Sequence, residues 1–375
     1  MRNSNGLWMS SLVAFLTVIL VFAPVSLQAQ GQEPAPPMPP PPAQEDPYAM
    51  KVDVPMTILD LVFTNKRGDI LGIKFDNLEA AQSAIEVYED GNPQKLEFFE
   101  PSEAPLTTVL LVEATPFVGY YMRYENLITA SIFAEQMRRN DWVALVGYDM
   151  RPRLEVDFTH DSNEIYAGLS RMQYGGFSEA NMYDAVLDTL ERLKDVKGKT
   201  SIIVVGTGID TFSKVTWDDA RKQARNYRTT IFCIGTAWPL ILMADRISGN
   251  SRYSRNYQRK ADELRMMIQV AEAQMRELST KSGGWAHFPR FITELPDVYK
   301  LIAGGLRQQH TIGYYPTNRD LNGKTRKIEV RLSNAFEDNL RRRSDLNGDG
   351  VIDKKDLKEK IIIVHKQEYT PGKVE

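Results

Sequence analysis

The sequence predicts an α/β protein in which a mainly parallel, helix-covered sheet is joined to a smaller β-rich unit built from the flanking segments. Between Leu106 and Leu306, short and near-continuously apolar runs alternate with stretches of helical periodicity, as strands buried on both faces by crossover helices should. On either side of that region the runs alternate apolar with polar residues, as half-buried antiparallel strands do. Composition agrees, because a 375-residue chain with 42% hydrophobic residues has enough apolar surface for a sizeable core.

Arg2 precedes an apolar run from Leu12 to Val25 that ends in small and polar residues up to Gln30. The run is shorter than the ~20 residues a membrane span needs, so it reads as an export signal over 1–29, cut after Ala29. The mature chain is expected to carry no membrane span. Residues 30–50 hold eight prolines, a density that favours extended polyproline II and suits a linker. Within 51–101 the runs Thr57 to Phe63, Ala84 to Tyr88 and Gln94 to Phe99 predict strands, with Glu89 to Asn92 as turn chemistry.

The α/β domain is placed over 102–309. Its strands are expected at Thr107 to Val112, Trp142 to Gly147, Thr200 to Val205 and Thr230 to Ile234. Helices are expected over 124–137, 181–193, 217–227, 261–278 and 295–306. In the last segment, 310–375, apolar and β-branched runs return at His310 to Tyr315, Arg326 to Leu332 and Lys360 to His365. These are expected to rejoin the strands of 51–101 in one β-domain.

Composition also limits the chemistry. The 46 Lys and Arg against 49 Asp and Glu leave a formal charge of −3, so nothing advertises nucleic-acid binding. One cysteine excludes an internal disulfide, and Cys233 lies in an apolar strand as a buried thiol. His160, His287, His310 and His365 stand on separate elements, and no Gly-x-Ser-x-Gly, phosphate loop or His-Glu-x-x-His occurs. Asp157 with Asp161, or Asp218 with Asp219, are read as helix-start residues rather than paired catalytic carboxylates. The basic, tyrosine-bearing stretch from Arg246 to Lys260 reads as a surface loop.

The chemically most specific stretch begins at Asp345. Counted as a twelve-residue calcium loop, oxygen ligands fall at Asp345, Asn347, Asp349, the Val351 carbonyl, Asp353 and Asp356. Gly350 stands at the sixth position, where such a loop turns sharply. The one departure is Asp for Glu at the twelfth. Loops of this type resemble EF-hands and the repeats of dockerins, of which only one copy is present here. Ca²⁺ is therefore the expected cofactor. The loop is read as an insertion in a β-hairpin between the strands at Lys327 and Ile361, with Ile352 buried on the β-domain and Arg341 to Arg343 offsetting its charge.

Seven stretches carry a wider resemblance: Val87 to Lys95, Leu110 to Thr115, Asp141 to Leu145, Asp157 to Asp161, Met182 to Val186, Thr280 to Gly284 and Leu306 to Pro316. In this order they resemble the von Willebrand factor A-like exported proteins known chiefly from acidobacteria. The resemblance covers Lys51 to about Leu332 and implies a doubly wound fold whose usual work is non-catalytic binding. It also implies a metal-dependent adhesion site, with Asp-x-Ser-x-Ser after the first strand, a Thr before the Tyr-Asp-Ala helix and an Asp after the fourth strand. Here those positions are Glu113, Thr115, Phe117, Ala180 and Thr207, with Asp210 nearby. Phe117 and Ala180 have no side-chain oxygen, so the site is expected to be degenerate and metal-free. The expected function is a calcium-binding, non-catalytic interaction, adhesion or scaffold module that is periplasmic or secreted and engages a protein or cell-surface ligand. Two other readings stay open: a hydrolase of cell-surface polymers using carboxylates at the sheet edge, and an assembly module docking through the calcium segment.

Overall fold

The computed structural model describes residues 55–101, 105–116, 132–133, 137–175, 179–248 and 253–371. The export signal, the whole linker over 30–50, Phe117 and most of the helix expected over 124–137 lie outside them.

In chain order the N-terminal flank provides β1 (Thr57–Thr64), α1 (Leu78–Ala84), β2 (Ile85–Glu89), β3 (Asn92–Gln94) and β4 (Leu96–Glu100). The central region follows with β5 (Leu106–Glu113), β6 (Trp142–Tyr148), β7 (Pro152–Thr159), α2 (Ser162–Arg171) and α3 (Met182–Leu193). It continues through β8 (Lys199–Gly206), α4 (Trp217–Ala224), β9 (Thr230–Gly235), α5 (Trp238–Ile247), α6 (Arg255–Ser282), β10 (Ala286–His287) and α7 (Leu295–Arg307). The C-terminal flank adds β11 (His310–Tyr314), β12 (Arg326–Leu332), α8 (Asn334–Arg343), β13 (Ile362–Val364) and β14 (Glu368–Tyr369).

The central sheet runs β10-β9-β8-β5-β6-β7. All its pairs are parallel except β6 with β7. Numbered from β5, this is the doubly wound order 3-2-1-4-5-6, which reverses between β5 and β8. β5, β8 and β9 are almost wholly buried, since one apolar cluster covers each face of the sheet. β7 was not expected as a strand. Pro152 begins it and its side chains are mostly half-buried, which fits an edge position where a missing N–H costs no ladder bond.

Four helices were also missed: α1 and α8 in the flanks, and α2 and α5 in the central region. α2 starts where the Asp161 carboxylate accepts the Asn163 N–H at 2.8 Å. α5 begins with a proline in its first turn. α6 starts at Arg255, so half of the expected basic loop is helix. That helix ends at Gly283, whose φ of +91° is a left-handed conformation that favours glycine.

The flanks interleave as two four-stranded antiparallel sheets. β1 pairs with β11 and β13 in the order β13-β1-β11-β4, and β2 pairs with β12 in the order β14-β12-β2-β3. They share one core that includes Leu59, Leu61, Phe63, Val87, Leu96, Ile312, Tyr314 and Val330. Residues more than two hundred positions apart thus pair directly, as Leu59 does with Ile312.

The expected hairpin around the acidic loop is not there. β12 lies beside β2 and β14, whereas β13 lies beside β1, so the chain from 333 to 361 crosses from one sheet to the other. Its first part is α8, and Arg341 to Arg343 form that helix's last turn, where positive charge suits the helix dipole. Arg341 pairs with Glu337 at 2.6 Å rather than with the acidic loop.

Candidate functional site

In a doubly wound sheet the ligand crevice lies outside the carboxyl ends of the strands, where the order reverses. Here that point falls between the ends of β5 and β8, and it gathers Glu113, Thr115 and Thr207. The Glu113 carboxyl is buried and both its oxygens are engaged. Oε1 accepts the Thr115 hydroxyl at 2.7 Å. Oε2 accepts the Thr207 N–H at 2.6 Å and the Thr207 hydroxyl at 2.9 Å. Burial raises the Glu113 pKa above the ordinary carboxylate value, and the bonds from Thr115 and Thr207 only partly offset it.

Gly206, the last residue of β8, makes this arrangement sterically possible. A Cβ there would stand 2.5 Å from the Tyr148 hydroxyl and 2.7 Å from Glu113 Oε2. The buried Tyr148 hydroxyl has no hydrogen-bond partner among the described residues, and burial, then the nearby Glu113, push its pKa well above the ordinary value. Neither residue stood out in the sequence, although a glycine closing an apolar strand is a signal of close approach.

Asp210 does different work. Its Oδ2 accepts the Tyr183 N–H at 3.0 Å and the Ser213 hydroxyl at 2.6 Å, while Oδ1 accepts the Ser213 N–H at 3.1 Å. It therefore caps the start of α3 from a neighbouring loop, a role that Asn181, the residue before the helix, does not fill with its side chain. Ala180 contributes backbone alone: its N–H donates to the Thr211 hydroxyl at 3.0 Å, and its carbonyl accepts the N–H groups of Thr211 and Phe212. Of the six positions singled out in the sequence, Glu113, Thr115 and Thr207 form one hydrogen-bonded unit, while Ala180 and Asp210 belong to the adjoining loop contact. Phe117 lies outside the described residues.

The acidic loop is organised around two of its carboxylates. Asp345 accepts the N–H groups of Gly348 at 2.7 Å, Asp349 at 3.2 Å and Gly350 at 2.7 Å, which folds the loop about its first position. Gly348 and Gly350 take φ values of +68° and +84°, a conformation that favours glycine at both turns. Asp356 is fully buried. It accepts the N–H groups of Asp353 at 2.8 Å, Asn347 at 3.1 Å and Leu346 at 2.8 Å, and these bonds hold its pKa below the ordinary value. The remaining acids face solvent, where the Lys355 ammonium lies 3.1 Å from Asp349 and 3.7 Å from Asp353.

Asp345, Asn347, Asp349 and Asp353 thus keep the oxygen-rich character Ca²⁺ prefers, and the loop has the turn glycines it needs. Among the described residues, however, no three acidic, histidine or cysteine groups are gathered into a cage. Lys355 neutralises two of the acids in this conformation, so binding through both requires the ammonium to swing away. The loop is anchored by Leu346, 2% exposed and part of the β-domain core, with the Asn65 amide donating to its carbonyl at 3.1 Å. Ile352, expected in that role, is 54% exposed.

The other candidate groups are structural. His310 is buried against Phe63, Phe75 and Phe99, with Nε2 2.7 Å from the Ile73 carbonyl. The Cys233 thiol is pushed up to about 12 by burial, which leaves no thiolate to react. Asp161 caps α2, and Asp218 pairs with Arg221 at 2.5 Å.

No family model and no curated protein matches the sequence. Solved structures with a similar course of the chain include an aerotolerance-related membrane protein from Bacteroides fragilis. It is 12% identical, with 54% of this chain and 98% of that one covered and a TM-score of 0.38. A von Willebrand factor type A protein from Catenulispora acidiphila is 9% identical over 70% of this chain and 72% of its own, with a TM-score of 0.40. The von Willebrand factor domain of a type V pili tip protein from Porphyromonas gingivalis is 13% identical over 54% and 95%, with a TM-score of 0.34. The doubly wound, von Willebrand factor A-like fold stands on the strand order itself, with its single antiparallel edge strand. No helix among the described residues is long and apolar enough to cross a membrane.

Proposed function

We propose that this chain is an exported, non-catalytic interaction module of the acidobacterial von Willebrand factor A-like type, which engages a protein or cell-surface partner without a bridging metal. The supporting observation is the engagement of Glu113. At the position where the related adhesion sites offer a free carboxylate to a cation, both oxygens of a buried carboxyl are taken by Thr115 and Thr207. The extra methylene of Glu over Asp lets the end of β5 reach the loop after β8 directly, so a hydrogen-bonded bridge fills the place of the metal. Partner contact then falls to the loop surface above it, where Phe212 is 47% exposed beside Ala180.

In the same reading, the loop 345–356 binds Ca²⁺ and holds together the chain that crosses between the two β-sheets. Its role is structural, since extracellular modules bind at ~10⁻⁴ to 10⁻³ M and remain loaded where calcium is steadily high. The deciding experiment compares the native chain with Phe212→Asp and Glu113→Ala in capture from an envelope fraction, each with EDTA or with Mg²⁺. The expected result is one partner retained by the native chain under both conditions and lost by Phe212→Asp. Capture that requires Mg²⁺ and disappears with Glu113→Ala would overturn the metal-free reading.

A further inference from the structure

The basic stretch that the sequence reads as a surface loop is helical at both ends: Arg246 stands in the last turn of α5, and Arg255, Arg259 and Lys260 in the first two turns of α6. α6 has 28 residues, which span about 42 Å at roughly 1.5 Å per residue. Only its second half is seated on the central sheet, where Met275 and Leu278 join one of the apolar clusters. The first half is held by α5 instead. Asp245 of α5 pairs with Arg265, and the Ser248 hydroxyl just past α5 donates to Asp262 at 2.6 Å.

The outer face of that first half is not an ordinary solvated helix face. At 3.6 residues per turn, Arg255, Arg259 and Lys260 share less than half of the circumference with Met266, Met267 and Val270. The three apolar side chains are each at least 48% exposed, and α5 exposes Leu242 and Met243 as well. Charge on the same face is one-sided. Asp245 and Asp262 are engaged as above and Glu263 lies 3.6 Å from Arg259, so Arg246, Arg255 and Lys260 have no ion pair among the described residues.

An exposed apolar stripe of this kind marks a docking surface, and its chemistry selects the occupant. Methionine side chains are unbranched and adaptable, so on a convex helix face they offer no fixed shape for a rigid partner to match. Unpaired cations one to three turns before them suit a surface of distributed negative charge. We propose that the α5–α6 unit docks on a membrane surface bearing anionic lipid, with Met266, Met267 and Val270 at the acyl boundary and Arg255, Arg259 and Lys260 among the headgroups. The contact is peripheral and spans nothing. It needs neither calcium nor the Glu113 bridge, so it stands apart from the crevice and from the acidic loop.

The test uses the chain from Gln30 to Glu375, so that the apolar run of the export signal cannot bind lipid itself. Flotation reads the partition onto vesicles of phosphatidylcholine alone and of phosphatidylcholine mixed with phosphatidylglycerol. The native chain should float with the mixed vesicles only, and added salt should release it. Met266→Asp combined with Val270→Asp should lower the partition about tenfold or more, and Lys260→Gln about fivefold. Leu154→Asp, at an exposed leucine of β7, should leave it unchanged. Circular dichroism should show the native fold in every variant, since all these positions are exposed. Absence of flotation with the mixed vesicles would overturn the proposal, as would equal flotation with both kinds or a double variant that floats like the native chain. A chain that ignores vesicles and self-associates through the same methionines would also overturn it, by giving the stripe to a second copy.

Discussion

The switch-point crevice and the acidic loop are built from the same hard oxygen chemistry and use it in opposite ways. At the crevice Glu113 is buried and its oxygens bind the chain's own hydroxyl and amide donors, so the oxygens close the structure. Of the loop's acids Asp356 alone is buried, while Asp345, Asp349 and Asp353, with Asn347, stay nearer solvent, two of the acids being held by one exposed lysine. Burial with satisfied partners turns a carboxyl into a structural bridge. Solvent-facing carboxylates crowded on one short loop keep their capacity for a cation.

Breaking the crevice should have the largest effect. Glu113→Ala strands the buried Thr207 N–H and two hydroxyls, and should cost about 2–4 kcal/mol in denaturant unfolding. A loss under 0.5 kcal/mol would mean that the bridge is not what joins the two loops. Calcium at the other region comes next: with a dissociation constant of 10⁻⁴ to 10⁻³ M, 10 mM Ca²⁺ should stabilise the chain by roughly 1.4–2.7 kcal/mol. Asp345→Ala combined with Asp349→Ala should remove that gain. Identical melting with and without calcium would leave the loop a plain acidic turn.

Acidity separates the two regions by sign. The folded pKa of Glu113 is raised, so its contribution is greatest below its ordinary value of 4.5 and is lost as pH rises through the folded value. Glu113→Gln carries no such loss, so its stability relative to the native chain should improve with rising pH. The folded pKa of Asp356 is lowered by its backbone donors, so its contribution is present above 3.8 and is lost as pH falls through the folded value. Asp356→Asn should flatten that acid limb. Chemical-denaturation series from pH 3 to 7 would read both, and slopes of the same sign would erase the contrast. The smallest expected change is Lys355→Gln, which frees Asp349 and Asp353 and should tighten calcium roughly two- to fivefold by titration calorimetry. Unchanged or weaker binding would show that the ammonium does not compete with the ion.

Much of the fold was legible locally. The apolar runs of β5, β8 and β9 are strands buried on both faces, and their periodicity could hardly mean anything else. β7 escaped because an edge strand lacks the full apolar run, and α2 because its start is marked by one capping aspartate. In the crevice, Glu113, Thr115 and Thr207 were singled out in the sequence, but the bonds from Thr207 to Glu113 were invisible there, since they join residues 94 positions apart.

By itself, the sequence determined the type of most elements and the placement of a helix-covered sheet between two β-rich flanks. Each of these follows from residue spacing within a few turns of chain. Tertiary structure alone decided that β12 and β13 belong to different sheets and that Leu346 rather than Ile352 anchors the loop. Those outcomes depend on which distant segments exclude water from a given side chain, and burial of that kind has no signature in local spacing.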